Sequence, residues 1–256
     1  MTTPATSPDA VLADLAAAWA GRLDRVLLGL YAHGSLVSGD FAPERSDLDV
    51  LAVLDRDPDR DLLAVLAGLH AGLDRRHPRW VGRVEVEYVS PDAVRDVTGG
   101  ADIPHRIARV SPGELLHLLP ATGHRVVTWA AVHDHGRTLF GPPPGALLPA
   151  VGPERVRAAL VAHVRDWPGW SAEMTTPGAQ SYAVLTVCRA VQRLRYDRQM
   201  SKRAAADASV DALPQWADLI RWARDWWYVG GRDSDPGRAG QMRAFVREIS
   251  ATLLSD

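Results

Sequence analysis

Residues Leu27 to Leu54 hold two apolar runs whose polar ends constrain the chain more than any other stretch. The first, Leu27-Leu-Gly-Leu-Tyr-Ala-His33, runs into Gly34-Ser35, and the second, Asp47-Leu-Asp49-Val-Leu, opens after a loop of eleven residues. A short apolar run bounded by glycine reads as a buried strand. On the second strand side chains alternate, so Asp47 and Asp49 face one way and Leu48 and Val50 the other, into a core. Paired acids at a strand end repel each other and do nothing for a sheet. They suit Mg²⁺, a hard cation that combines protein carboxylates with phosphate oxygens. Gly34 lets a backbone approach a ligand closely, and Ser35 offers a hydroxyl and an N–H to a phosphate. Taken singly, Gly-Ser is a turn and Asp-Leu-Asp a solvated edge. In this order, each beside its own apolar run, they predict a metal–nucleotide site.

Gly-Ser, a loop, then Asp-x-Asp resembles the signature of the nucleotidyltransferase superfamily with a polymerase-β-like fold, carried here by Gly34, Ser35, Asp47 and Asp49. A third strand, predicted over Val81 to Val89, bears on the same site. There Val84, Val86 and Tyr88 alternate with Glu85 and Glu87, which gives the strand one acidic face. That face is either a solvated edge or the source of a third carboxylate. The third carboxylate would be a metal ligand or a general base that takes the proton of an attacking hydroxyl. Beside the Asp-x-Asp pattern the second reading is preferred. Which glutamate serves depends on strand register, and the residues leave that open.

Around these strands the first half alternates with helices. Asp9 to Arg25 and Asp59 to Leu73 carry apolar residues at helical spacing, while Met1 to Ser7 is Thr/Pro-rich and expected to be loose. Past Ser90 strand character is lost, and Pro91 to Gly123, with His105, Arg106 and Arg109, has no clear pattern. Arg125 to Leu139 reads as a helix, and Gly141-Pro-Pro-Pro-Gly145 as a linker. The boundary is therefore expected there, giving domains 1–145 and 146–256. The second is expected to hold about five helices, over Pro153–Trp167, Ala179–Arg198, Ser201–Asp211, Gln215–Tyr228 and Gly237–Leu254. The fold class is α+β: a mixed sheet with flanking helices, then an all-α helical bundle.

The helical half narrows the resemblance. Val184-Leu-Thr-Val-Cys-Arg189, then Lys202 in Ser-Lys-Arg-Ala-Ala-Ala-Asp207, then Leu213-Pro214 and Tyr228, is similar to the aminoglycoside (3″)(9) adenylyltransferases. Val84-Glu-Val86 and Leu139-Phe-Gly-Pro142 agree with it, so it runs from about Leu30 to the C-terminus. Those enzymes transfer AMP from ATP to streptomycin and spectinomycin. The resemblance implies that Ser35 and Ser46 contact the triphosphate and that Asp47 and Asp49 bind Mg²⁺. It makes Glu85 the catalytic base and assigns Arg189, Lys202 and Tyr228 to the ATP phosphates. Trp170 matches a tryptophan of the drug pocket. The pocket's acidic positions hold Thr175 and Ala179 instead, which leaves Glu173 as the acid close by, and a second pocket tryptophan expected between His105 and Leu119 has no counterpart.

Composition sets the remaining expectations. A formal net charge of −2 over 256 residues provides no basic face for a general grip on nucleic acid. A lone cysteine, Cys188, cannot form an internal disulfide, no apolar run reaches membrane-spanning length, and the N-terminus lacks a signal pattern. The reading is a cytoplasmic, monomeric, Mg²⁺-dependent adenylyltransferase. It would use ATP and a small-molecule hydroxyl acceptor of aminoglycoside type, engaging neither nucleic acid nor membrane. With the acidic positions replaced, spectinomycin should be a better acceptor than the more cationic streptomycin. The alternatives are transfer to a protein or other acceptor, and a silent nucleotide-binding module.

Overall fold

The computed structural model describes residues 7–233 and 235–255. Residues 1–6, most of the Thr/Pro-rich start, lie outside them. Ser7 is described, and its hydroxyl accepts from Ala10 N–H to cap the first helix rather than belonging to a loose tail. The chain divides into two compact units, the first ending at Arg155 and the second beginning at Val156. The proline-rich turn Gly141–Gly145 lies within the first.

In chain order the first unit holds α1 (Pro8–Leu23), β1 (Leu27–His33), β2 (Leu48–Leu54), α2 (Arg60–Arg76), β3 (Val84–Val89), α3 (Pro91–Gly99), β4 (Arg106–Ser111), β5 (Glu114–Pro120), α4 (Val126–His135) and β6 (Arg137–Phe140). The six strands form one mixed sheet in the order β5-β4-β3-β2-β1-β6, parallel between β2 and β3 and antiparallel elsewhere. Asp59 caps α2 by accepting from Leu62 N–H at 2.8 Å, and α2 is the crossover that the parallel pair requires. One sheet face, with Leu30, Ala32, Leu48, Val50, Val86 and Tyr88, packs under Val11, Leu12, Leu15 and Trp19 of α1 and Leu62 and Leu66 of α2. Burying side chains of this size stabilises by roughly 1.5–3 kcal/mol each. The Tyr88 hydroxyl is satisfied inside this core by Trp19 Nε1 at 2.8 Å and His70 Nε2 at 2.7 Å.

Two expectations are corrected here. The segment after Ser90 is ordered: Ser90 caps α3, and β4 and β5 form a hairpin that extends the sheet. Its strands were hidden because β5 is mostly exposed and lacks a buried apolar face, Leu115 being an extreme case. The predicted helix Arg125–Leu139 ends at His135, and Arg137–Phe140 turns back to pair with β1 as an edge strand.

The remaining helices are α5 (Pro153–Ala172), α6 (Pro177–Tyr196), α7 (Lys202–Ala212), α8 (Ala217–Val229) and α9 (Arg238–Ser255), five as expected. The core of the second unit centres on α6, which packs against α7, α8 and α9. Ala183, Val184, Leu185, Val187, Cys188 and Val191 of α6 are buried with Ile220 of α8 and Met242, Phe245 and Val246 of α9. Small residues let these helices close up: Ser181 Oγ donates to the Ala223 carbonyl at 2.7 Å, and Gln192 Nε2 to Ser209 Oγ at 3.2 Å.

Candidate active site

Strand register builds the site. His33, the last residue of β1, lies opposite Asp49 of β2, and Asp49 lies beside Glu85 of β3. Residues paired across neighbouring strands share a face, so an imidazole and two carboxylates form one row at one end of the sheet. Asp47 stands two residues before Asp49, just ahead of β2, and is half-buried. Past His33 the chain tightens into a 3₁₀ turn, Gly34–Leu36, with Gly34 at φ +67°. A Cβ on Gly34 would sit 1.9 Å from Asp49 Oδ2 and 2.7 Å from its Cγ. Gly34 therefore provides both a left-handed backbone and the space that the Asp49 carboxylate fills. Ser35 follows in the same turn, partly exposed.

Electrostatics follow from this packing. Burial first, and then the charge of Asp49, push the Glu85 carboxyl up to about 7; Glu87 adds to the rise, while Arg109 and Arg125 oppose it. His33 keeps a partly exposed ring, yet burial pushes its pKa down to about 4 against the pull of Glu87, so it is a neutral imidazole. One rung deeper the same face carries Glu87, which is 5% exposed. Trp129 Nε1 donates to Glu87 Oε1 at 2.6 Å, and Arg125 Nε stands 3.3 Å from Oε2. Glu87 is thus held by protein groups at both oxygens. Glu85 is the acid beside Asp49.

The other predicted residues lie as follows. Ser46 is buried in the loop before β2, where its hydroxyl accepts from Ala42 N–H at 2.9 Å and keeps its hydrogen to donate. In the second unit Arg189 is exposed on α6. Lys202 is the first residue of α7, with Nζ 4.2 Å from the centroid of the Trp227 ring and 4.8 Å from that of Tyr182. Its neighbour Arg203 stacks 3.8 Å over Tyr228 near the end of α8. Trp170, in the last turn of α5, meets Trp167 and His163 edge-on, and Glu173 is exposed just beyond that helix. Gly34, Asp49 and Glu85 are therefore brought together, with Ser35 and Asp47 flanking them. His33, Trp129, Arg125 and Arg109 were not foreseen. For His33 the signal was available, since it directly precedes Gly34; Arg109 is shown only by strand register, and Trp129 and Arg125 only by their contacts with Glu87.

Among the described residues no group of three or more His, Cys, Asp and Glu is arranged to hold a metal. The all-oxygen pair at Asp47 and Asp49 still fits Mg²⁺, which uses one or two carboxylates and takes its other ligands from substrate phosphates and water. Burial accounts for most of the rise of the Glu85 pKa, and the part that comes from Asp49 is a repulsion that a bound cation would relieve.

This topology and this acidic row define a nucleotidyltransferase, and residues 21–98 match the model of the nucleotidyltransferase domain. Residues 146–252 match that of the aminoglycoside adenylyltransferase C-terminal domain. The two matches, one in each half of the chain, support an aminoglycoside adenylyltransferase of the nucleotidyltransferase superfamily. In structure it is similar to the spectinomycin adenyltransferase AAD(9) from Enterococcus faecialis, solved with ATP and spectinomycin. The TM-score is 0.78 over 96% of this chain and 100% of that one, at 14% identity; a likeness at that identity speaks for the fold. No curated protein matches the chain. No helix among the described residues is long and apolar enough to cross a membrane.

Proposed function

We propose that the protein transfers AMP from ATP to a hydroxyl of an aminoglycoside-like small molecule. The observation that carries this reading is the row Asp49–Glu85 beside the Gly34 turn: a tight glycine turn and two half-buried acids in contiguous register, which suit a phosphate, a cation and a base. Glu85 takes the proton of the acceptor hydroxyl, which its raised pKa suits. The acceptor oxygen forms a bond to the α-phosphorus, the bond from that phosphorus to the bridging oxygen breaks, and pyrophosphate leaves. Gly34 and Ser35 hold phosphate through backbone N–H and hydroxyl groups, and Ser46 donates its remaining hydrogen there. Mg²⁺, held by Asp47 and Asp49, would offset the negative charge of the triphosphate when bound.

On the helical unit, Arg189, Lys202 and Tyr228 are assigned to the triphosphate, and Trp170 and Glu173 to the acceptor. These roles rest on the family resemblance, and the cations suit a polyphosphate. The adenine base, a domain boundary near residue 145, a monomeric state and a cytoplasmic location belong to the same reading. The spectinomycin bound by AAD(9) supports the acceptor class. Purified protein incubated with α-labelled ATP, Mg²⁺ and spectinomycin should put label on the drug and release pyrophosphate. Label on protein, or none, would overturn the assignment.

A further inference from the structure

Arg109 of β4 lies directly opposite Glu87 of β3, on the face that carries Glu85. Its guanidinium donates to Ser111 Oγ at 3.1 Å and to Glu114 Oε2 at 2.8 Å, and Ser111 Oγ donates to the same Glu114 oxygen at 3.0 Å. Nε is buried with no acceptor among the described residues. That is an expensive way to keep a charge on a strand, and no apolar packing need explains it. The face thus holds three glutamates, Glu85, Glu87 and Glu114. Arg125 is paired with Glu87 and Arg109 with Glu114, so Glu85 is the one of the three with which no arginine among the described residues pairs directly. Without Arg109 the same face would be strongly anionic and would attract polycations.

We propose that Arg109 is a specificity-determining residue: by neutralising Glu114 beside the proposed base, it restricts the acceptor to molecules of low positive charge. The inference rests on Glu85 being the group that meets the acceptor hydroxyl. Arg109 is close enough for its charge to act on Glu85: the guanidinium opposes the rise of the Glu85 carboxyl, and the carboxylate in turn favours the charged guanidinium. It is independent of Thr175 and Ala179, which lie in the other unit.

Calorimetry with streptomycin and spectinomycin, each titrated into wild type, Arg109→Gln, Arg109→Lys and Glu114→Gln, tests it. Arg109→Gln should tighten streptomycin relative to spectinomycin by roughly three- to tenfold, the effect of one charge at about 8–10 Å in a partly solvated site. Arg109→Lys should keep the wild-type ratio. Glu114→Gln uncovers the guanidinium and should move the ratio the other way. A merely structural arginine would weaken both ligands alike and give no opposite sign. Ratios unchanged in Arg109→Gln and Glu114→Gln, or no binding of either drug, would overturn the proposal; should Arg109→Gln not fold, Glu114→Gln decides alone. AMP transfer followed in the same samples reports on the proposed function separately, because drug can bind with charge selection even where no AMP is transferred.

Discussion

Trp129 donates its indole N–H to the buried carboxylate of Glu87 at 2.6 Å, and that bond separates the two glutamates of β3. An acid already engaged by an indole and a guanidinium is occupied, whereas Glu85, one rung nearer the sheet end, sits beside Asp49. Glu85→Gln should therefore leave the fold and ATP binding intact and lower turnover about 10²–10⁴-fold, the usual cost of a lost general base. Glu87→Gln should chiefly cost stability, roughly 1–3 kcal/mol for a charge-assisted buried contact. Pyrophosphate release and thermal melts on both variants check this. Larger turnover loss in Glu87→Gln would reverse the assignment.

The same acid sets a pH dependence. Its carboxyl is pushed up to about 7 by burial and by Asp49, and a base must be ionised to accept a proton. Below the pKa of Glu85, about 7 before a cation binds and lower once one relieves the repulsion from Asp49, kcat/KM should fall roughly tenfold per unit, and above it level off. Rates measured in constant ionic strength from about pH 5 to 9 suffice, and a flat profile would deny Glu85 its role.

Gly34→Ala should be far more damaging than its size suggests. A Cβ there would be 1.9 Å from Asp49 Oδ2, and the residue sits at φ +67°. The left-handed backbone costs about 1–2 kcal/mol for an alanine, which the unit should survive. The greater effect is displacement of the Asp49 carboxylate from its row beside Glu85. We expect a folded protein by circular dichroism with transfer reduced at least about 100-fold; retention of near-wild-type turnover would mean that the Gly34–Asp49 contact is dispensable.

How much of this was legible beforehand differs by residue. The Gly-Ser and Asp-x-Asp pattern announced the row because apolar runs flank it, and alternation announced the acidic face of β3. Register could not be read, because it depends on backbone hydrogen bonding between segments that are distant in sequence. Hence the choice between Glu85 and Glu87 waited for the sheet. The β4–β5 hairpin was invisible because β5 is mostly exposed and β4 sets adjacent buried residues, Ile107 and Ala108, between arginines, so neither strand shows the alternation on which such readings depend, and the place of Arg109 was invisible with it. The five helices of the second unit showed clearly, since each has a buried stripe, and three of their five starts carry a Pro or Ser in the first turn or at the cap. The aromatic setting of Lys202 depended on how α6, α7 and α8 pack and left no trace in the chain order.

At the far end of β2 from the active row, His105 is clamped between Asp57 and Asp96, with 2.9 Å from Nδ1 to the first and from Nε2 to the second. Burial disfavours its charge, but the hydrogen bonds to Asp96 and Asp57 outweigh it and raise the pKa above 6.5. The folded state then keeps a proton that the unfolded chain gives up first. The resulting stabilisation is full below about pH 6.5 and is lost as pH rises through the raised folded value. Melting temperatures should decline across that window in wild type and change less in His105→Gln. Parallel curves for the two proteins would show that the clamp does not titrate there.

Lys202 is the residue on which the phosphate assignment of the helical unit can be tested most directly. Ser201 caps α7, with its hydroxyl accepting from Ala204 N–H at 3.3 Å, and this fixes the backbone at Lys202. The ammonium lies 4.2 Å from the Trp227 ring centroid and 4.8 Å from that of Tyr182. Aromatic faces attract a cation through their quadrupole, and two of them here fix where the ammonium lies. Lys202→Ala should weaken ATP far more than AMP, by about one to two powers of ten for a charge-assisted contact of roughly 1.5–3 kcal/mol. Trp227→Leu keeps the ammonium but removes one of its supports, and should weaken ATP by a smaller factor, roughly threefold. Calorimetry with both nucleotides on both variants checks the order, and equal losses for ATP and AMP in Lys202→Ala would remove the residue from the phosphate site.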